Sequence, residues 1–214
     1  MASQAFNEFR FNILDAWRLH QAHSVLSNNT RGKKGLGHIT RSGVVMLCAA
    51  WEHYQESVLV EAAGFLAGQV HDPQQLPLPV KKHLSAVVKR AQHELKPMEL
   101  AGEGWRALYI AIARDETSAL NTPKSEKLKG LFERLAGVPD VTSFWSIGAK
   151  PIDDFVSVRG DIAHRGRKAD YVTAGTLKYY IELITTAVGE HDNALCDYLK
   201  AAAATNCQPW RRTA

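Results

Sequence analysis

Apolar residues recur at spacings of three and four along most of the chain, and no stretch sustains the apolar-polar alternation of a half-buried strand. Gln4 to Ser27 puts Phe6, Phe9, Ile13 and Trp17 at helical spacing and predicts an amphipathic helix. Asn28 to Gly37, with three Gly, two Asn and three basic residues, interrupts it and reads as a flexible loop. A second long helix is expected from Thr40 to about Ala67, with Val44, Cys48, Trp51, Val58, Ala62 and Phe65 on one stripe. Leu47, Tyr54 and Leu66 widen that stripe, so this helix should be deeply packed. Three Pro between Asp72 and Pro79 stop the pattern.

A third helix is expected from about Pro79 to Leu95. It is strongly basic, with Lys81, Lys82, Lys89, Arg90 and the following Lys96 against the single acid Glu94, and reads as a solvated face or, alternatively, a binding stripe. Residues 97–121 read as irregular around a short apolar helix from Trp105 to Ala113. Thr122 and Pro123 read as an N-cap and first helical residue ahead of Leu128, Leu131, Phe132 and Leu135, and Gly137 and Pro139 end that helix. Another begins at Pro151 with Asp153 and Asp154 in its first turn, where carboxylates suit the helix dipole. The last runs from Thr173 to about Ala204 on Leu177, Tyr180, Ile181, Ile184, Val188, Leu195 and Leu199. These elements give an all-α chain, an antiparallel bundle with extra short helices, forming a single domain over residues 1–214 with 205–214 as a disordered tail. No internal repeat is visible.

Composition changes this picture little. The 214 residues are 45% hydrophobic and 22% charged, which excludes a disordered or collagen-like polymer. A net charge of +4 permits an anionic partner. Cys48, Cys196 and Cys207 form no CxxC pair and no disulfide framework, which suits a reducing cytoplasm. The longest apolar run, Gly43 to Trp51, is far too short to span a bilayer, and residues 1–27 lack a signal-peptide layout. The expectation is a cytoplasmic protein with no membrane segment. No HExxH motif, Cys/His cluster or Gly-rich phosphate loop is present, and His20 and His23 are an isolated pair, so no metal and no cofactor are expected.

The candidate chemistry lies in Pro151 to Gly166. Ile152, Phe155, Val156, Ile162 and Ala163 form an apolar stripe, and Arg159 falls in the middle of it. A guanidinium there needs an anion, because Arg has no neutral form. Asp153, Ser157, Gly160, Asp161 and His164 mark the polar face. Asp161 is three residues before His164, close enough to orient its imidazole. Arg159 and His164 are five apart, about 140° around a helix, so one copy does not assemble a compact site. Two copies about a two-fold axis would bring both pairs to one cleft. Arg165, Arg167 and Lys168 follow, and a phosphodiester matches that charge. The spacing alone discriminates little, since Arg18 and His23 repeat it on what reads as a solvated helix, and Arg31 and His38 come near it.

With these residues in view, Val158-Arg-Gly-Asp-Ile-Ala-His164 resembles the Arg-x4–6-His signature of HEPN domains (higher eukaryotes and prokaryotes nucleotide-binding), and the RiboL-PSP-HEPN group in particular. Met46 to Glu56 is similar to that group's apolar helix ending in Trp-Glu-x-Tyr, and Asn121 to Phe132 to its segment before the motif helix. The blocks span roughly residues 40–200. The resemblance implies a helical bundle that dimerises through the motif helix and, in catalytic members, cuts RNA without a metal.

Carried over residue by residue, the resemblance makes Arg159 and His164 the catalytic pair and Asp161 a polar position inside the motif. Glu52 and Tyr54 support the site or serve as capping or core residues, and Arg165, Arg167 and Lys168 meet RNA. Gly160 departs from the family, which commonly places Asn or another polar residue after the Arg. Gly166 stands where a related HEPN group has a Tyr that is adenylylated, which argues against that control. The function implied is RNA cleavage by 2′-OH attack in a homodimer, with a toxin or phage-defence system and an antitoxin or regulatory partner as the expected setting. The alternatives are a HEPN-like module that binds RNA or a nucleotide, or only dimerises, and a structural protein in which Arg159 pairs with a buried Glu such as Glu52.

Overall fold

The computed structural model describes residues 1–27 and 35–213. The expected loop over 28–37, and with it Arg31, falls largely outside the described residues. Seven α-helices and no strand are found among the described residues, which makes the fold all-α. They are α1 (Gln4–Leu26), α2 (Gly37–Gln69), α3 (Leu78–Arg90), α4 (Gly104–Ser118), α5 (Ser125–Ala136), α6 (Ala149–Arg165) and α7 (Ala174–Ala202), with short 3-10 turns between them.

The 33-residue α2 is the organising element. At about 1.5 Å per residue it runs ~50 Å, long enough to touch most of the molecule, and it packs against α1, α4, α5, α6 and α7. Its stripe is as wide as the sequence implies: Val44, Leu47, Cys48, Trp51, Tyr54, Val58, Ala62 and Leu66 are all buried. Phe65 is only partly covered. Gly43 allows the closest approach of α7, since a Cβ there would stand 2.5 Å from Leu177 Cδ2. In α1 the buried line is Ala5, Phe9, Ile13 and Ala16, while Phe6 and Trp17 lie partly covered beside it.

Several boundaries differ from the sequence reading, three of them for identifiable physical reasons. Helix α3 ends at Arg90 rather than Leu95. Beyond Val88 the next stripe positions are Ala91 and Gln92, Leu95 is exposed, and Pro97 disfavours helix before it, so nothing holds a further turn. Its Lys82, Lys89 and Arg90 are exposed opposite buried Val80, Leu84 and Val88, which is the solvated-face arrangement. Helix α4 continues past Ala113 to Ser118 through residues that are polar but engaged. Thr117 donates to Ala113 O at 2.8 Å, and Glu116 pairs with His83 of α3 and, at 2.5 Å, Arg134 of α5.

Helix α5 starts at Ser125, so Thr122 and Pro123 are neither cap nor first residue. The cap comes from another helix, as described below. The end of α5 is as read: Gly137 takes φ +78° and its N–H returns to Glu133 O.

The chain end is a clear correction. Residues 205–213 do not form a loose tail. Trp210 is buried and donates from Nε1 to Asp192 O at 3.1 Å, Cys196 Sγ donates to Trp210 O, and the Arg211 amide donates to Met1 O at 2.8 Å. Arg212 pairs with Asp197, and Thr213 exchanges hydrogen bonds with Asn193. An indole with a buried polar partner anchors the segment, and its neighbours are too polar to show an apolar pattern.

Candidate functional site

The three segments that carry the resemblance meet in space. Trp51 of α2 donates from its indole to Pro123 O at 3.1 Å, fixing the strand of chain ahead of α5. The Ser125 amide and hydroxyl both donate to the Asp153 carboxylate of α6, at 2.7 and 2.6 Å. Asp153 is therefore not a first-turn acid of its own helix, which begins at Ala149, but an anion seated on the N-terminus of α5. Asp154 pairs with Lys150 at 2.7 Å. Ile152, Phe155, Val156 and Ile162 are buried and hold α6 to the core. Ala163, expected on that stripe, is exposed, because the helix leaves the core after Ile162.

Arg159 is half-buried and its charge acts on two groups of α2, Cys48 and Glu52. Burial pushes the Cys48 thiol up to about 12 in spite of the guanidinium, so it stays protonated and is no nucleophile at neutral pH. Burial also raises the Glu52 carboxyl, and Arg159 and Lys127 pull it back. One oxygen of Glu52, Oε2, is buried without a hydrogen-bond partner. No ion-pair contact joins Arg159 to Glu52 among the described residues, so the two act through space and the guanidinium face is left available. Lys127, whose ammonium donates to Asn121 Oδ1 at 2.9 Å, was not anticipated here.

His164 is exposed in the last turn of α6. Asp161 does not orient it. The carboxylate forms an ion pair with Arg165, Oδ1 to Nε 3.0 Å, a four-residue spacing that competes successfully with the three-residue spacing to His164. Arg167 and Lys168 are exposed in the 3-10 turn that follows. The result is a cationic helix end with a free imidazole on it and a guanidinium held against α2.

Tyr54 belongs elsewhere. Its ring lies against Phe9, Trp51 and His191, with centroids 6.0, 6.5 and 5.5 Å away, and its hydroxyl acts on Asp192. It is a core residue between α1, α2 and α7, the plainer of its two expected roles. Around it sits a buried polar cluster that sequence reasoning missed. His191 is enclosed by Tyr54, Phe132, Phe144 and Trp145, and its Nδ1 accepts from Trp145 Nε1 at 3.3 Å. Burial lowers its pKa to about 3, keeping the ring neutral. Asp192 accepts from the Ser3 hydroxyl, and burial raises its carboxyl to about 6. The signal was available: His191 and Asp192 occupy stripe positions between Val188 and Leu195.

Among the described residues no group of three or more His, Cys, Asp or Glu is placed to hold a metal ion, and no helix is long and apolar enough to cross a membrane. No curated protein and no solved structure matches the chain. The sequence model of the RiboL-PSP-HEPN family matches residues 12–197, from within α1 to within α7, and takes in the whole of α2 to α6, the motif helix included. On that match, and on a helical core that joins the three resembling segments through Trp51, Ser125 and Asp153, the chain belongs to the RiboL-PSP-HEPN family.

Proposed function

We propose that the protein is a metal-independent endoribonuclease acting as a homodimer through α6, in a reducing cytoplasm. The observation that carries this reading is Arg159, half-buried beside Glu52 yet with no ion-pair partner among the described residues, five residues before a solvent-exposed His164. In the reaction the substrate's 2′-oxygen attacks the adjacent phosphorus and the bond to the 5′-oxygen breaks. The products are a 2′,3′-cyclic phosphate and a 5′-hydroxyl. An imidazole accepts the 2′-hydroxyl proton or delivers one to the leaving oxygen, and His164 takes that part. Arg159 stabilises the charge on the pentacoordinate phosphorus. Arg165, Arg167 and Lys168 draw the RNA backbone to the helix end.

Two copies complete the site, since the pair is divided around α6. In support, Val45 and Met46 are 37% and 40% exposed on the same length of α2 that carries Cys48 and Glu52, beside Arg159. Incubation of purified protein with cellular RNA in EDTA tests the chemistry. The expected outcome is fragments ending in 2′,3′-cyclic phosphate, and intact RNA contradicts it. Sedimentation at several concentrations tests the dimer, and a strict monomer removes the composite cleft. A toxin or defence role, with an antitoxin or regulatory partner, predicts arrested growth when the active protein is expressed in bacteria. Gly160 favours one other reading, a module that binds RNA or a nucleotide without cutting it, because the polar side chain common in the family at that place is absent.

A further inference from the structure

A cleft of about 400 Å³ opens on the other flank of α6, between that helix, the segment 169–173 and the start of α7. Its lining differs from the helix end beside it. Asp161 and Asp170 contribute carboxylates, Tyr171 and Tyr180 contribute rings, and among the described residues no Lys, Arg or His is part of its lining. The walls are fixed. Thr40 of α2 donates to Val172 O at 2.7 Å and pins the segment, and the Tyr180 ring packs on Phe155 at 5.2 Å. The Tyr171 ring lies against Gly37, where a Cβ would stand 3.1 Å from its Cε2, and is still 65% exposed, so one face is free. Asp170 has no ion-pair partner among the described residues, and Asp161 shares only one oxygen with Arg165.

Such a cleft repels phosphate and suits a flat ring with N–H groups on its edge. Ser157, Asp161 and His164 follow at spacings of four and three, so they share one ridge of α6 and His164 stands at the rim of the cleft. Arg165, paired with Asp161, is followed at the helix end by Arg167 and Lys168, all three exposed. Charge thus sorts a nucleotide in one direction, with its phosphate on the basic helix end and its base in the acidic cleft. Among the four RNA bases, guanine alone offers two adjacent N–H donors, N1–H and the 2-amino group, on its pairing edge. Carboxylates are acceptor-only groups that match that edge.

We propose that this cleft is a guanine subsite next to His164, with Tyr171 stacking on the base and Asp161 and Asp170 accepting its N–H groups. The proposal deepens the nuclease reading and rests on it for its place in the reaction. Base binding is measured apart from cleavage, on the full-length His164→Ala protein titrated calorimetrically with 5′-GMP, AMP, CMP and UMP in turn.

GMP is expected to bind at least about tenfold more tightly than the other three, by analogy with the discrimination of a good two-point base contact. Tyr171→Ala should weaken it about tenfold, the effect of losing one stacked ring. Asp170→Asn should erase most of the preference while leaving the weak binding of the others unchanged. Equal binding of all four nucleotides, or GMP binding that survives both substitutions, overturns the subsite and leaves only an anion patch at the helix end. Selective GMP binding by a protein that cuts no RNA sustains the subsite and retires the nuclease reading. Cleavage without guanosine preference and without selective GMP binding does the reverse.

Discussion

Gly160 follows Arg159 in the interior of α6, and a Cβ built there meets no atom within 4 Å. Its backbone is ordinary helix, so the absence of a side chain costs entropy and provides no close packing. Gly160→Ala should therefore stabilise the protein by about 0.5–1 kcal/mol, read as a higher thermal midpoint. A lower midpoint would mean that α6 is strained at the motif. At this scale Arg159 was legible, because a charged residue on an apolar period stands out. The partner of Asp161 was not, since His164 at three residues and Arg165 at four both satisfy helical spacing, and geometry favoured the guanidinium. Tyr54 could not be assigned from its neighbours in sequence alone, because besides Trp51 the rings it meets are on α1 and α7.

Two helix starts in this protein, those of α1 and α5, take a carboxylate from another helix. Glu61 of α2 accepts the amides of Gln4 and Ala5 at 3.0 and 2.6 Å, and Asp153 of α6 accepts that of Ser125 at 2.7 Å. Each carboxylate satisfies orphan N–H groups while tying two elements together. Asp153→Ala should cost about 1–2 kcal/mol of stability in urea titration, because it uncaps α5 and unpairs the Ser125 hydroxyl at once. A loss near zero would show that the α5 start is held by the Trp51 contact alone. This habit explains which boundaries the chain disclosed. Where the stop is local, as at Gly137, the reading held. At the start of α5 it failed, because Thr122-Pro123 looks like a local cap and the real one lies 28 residues away.

At the scale of the whole molecule, the two ends of the chain close over one buried polar cluster. Ser3 caps α1 and donates to Asp192, Trp210 donates to the Asp192 carbonyl, and His191 lies neutral beside them. These groups pull stability in opposite directions with pH. His191, lowered from 6.5 to about 3, takes up its proton in the unfolded chain first, so its contribution is lost as pH falls through that window. Asp192, raised from 3.8 to about 6, keeps its proton longer in the folded chain, so its contribution is lost as pH rises. Between about pH 4 and 6 the two nearly cancel. Asp192→Asn leaves His191 alone, and stability should then rise with pH more steeply than in the wild type, by about 1.4 kcal/mol per pH unit. Parallel slopes for the two proteins would remove Asp192 from the account.

At the same scale, the proposed function gives the +4 charge a place to act. Its useful part is the end of α6, where His164, Arg165, Arg167 and Lys168 are exposed together and two copies would double the field. The most direct test is cleavage of RNA in EDTA by the wild type beside Arg159→Ala and His164→Ala, with folding of each variant checked by circular dichroism. The account predicts that the wild type cuts and that each variant loses at least about a hundredfold in rate. Variants that cut as fast as the wild type would contradict it.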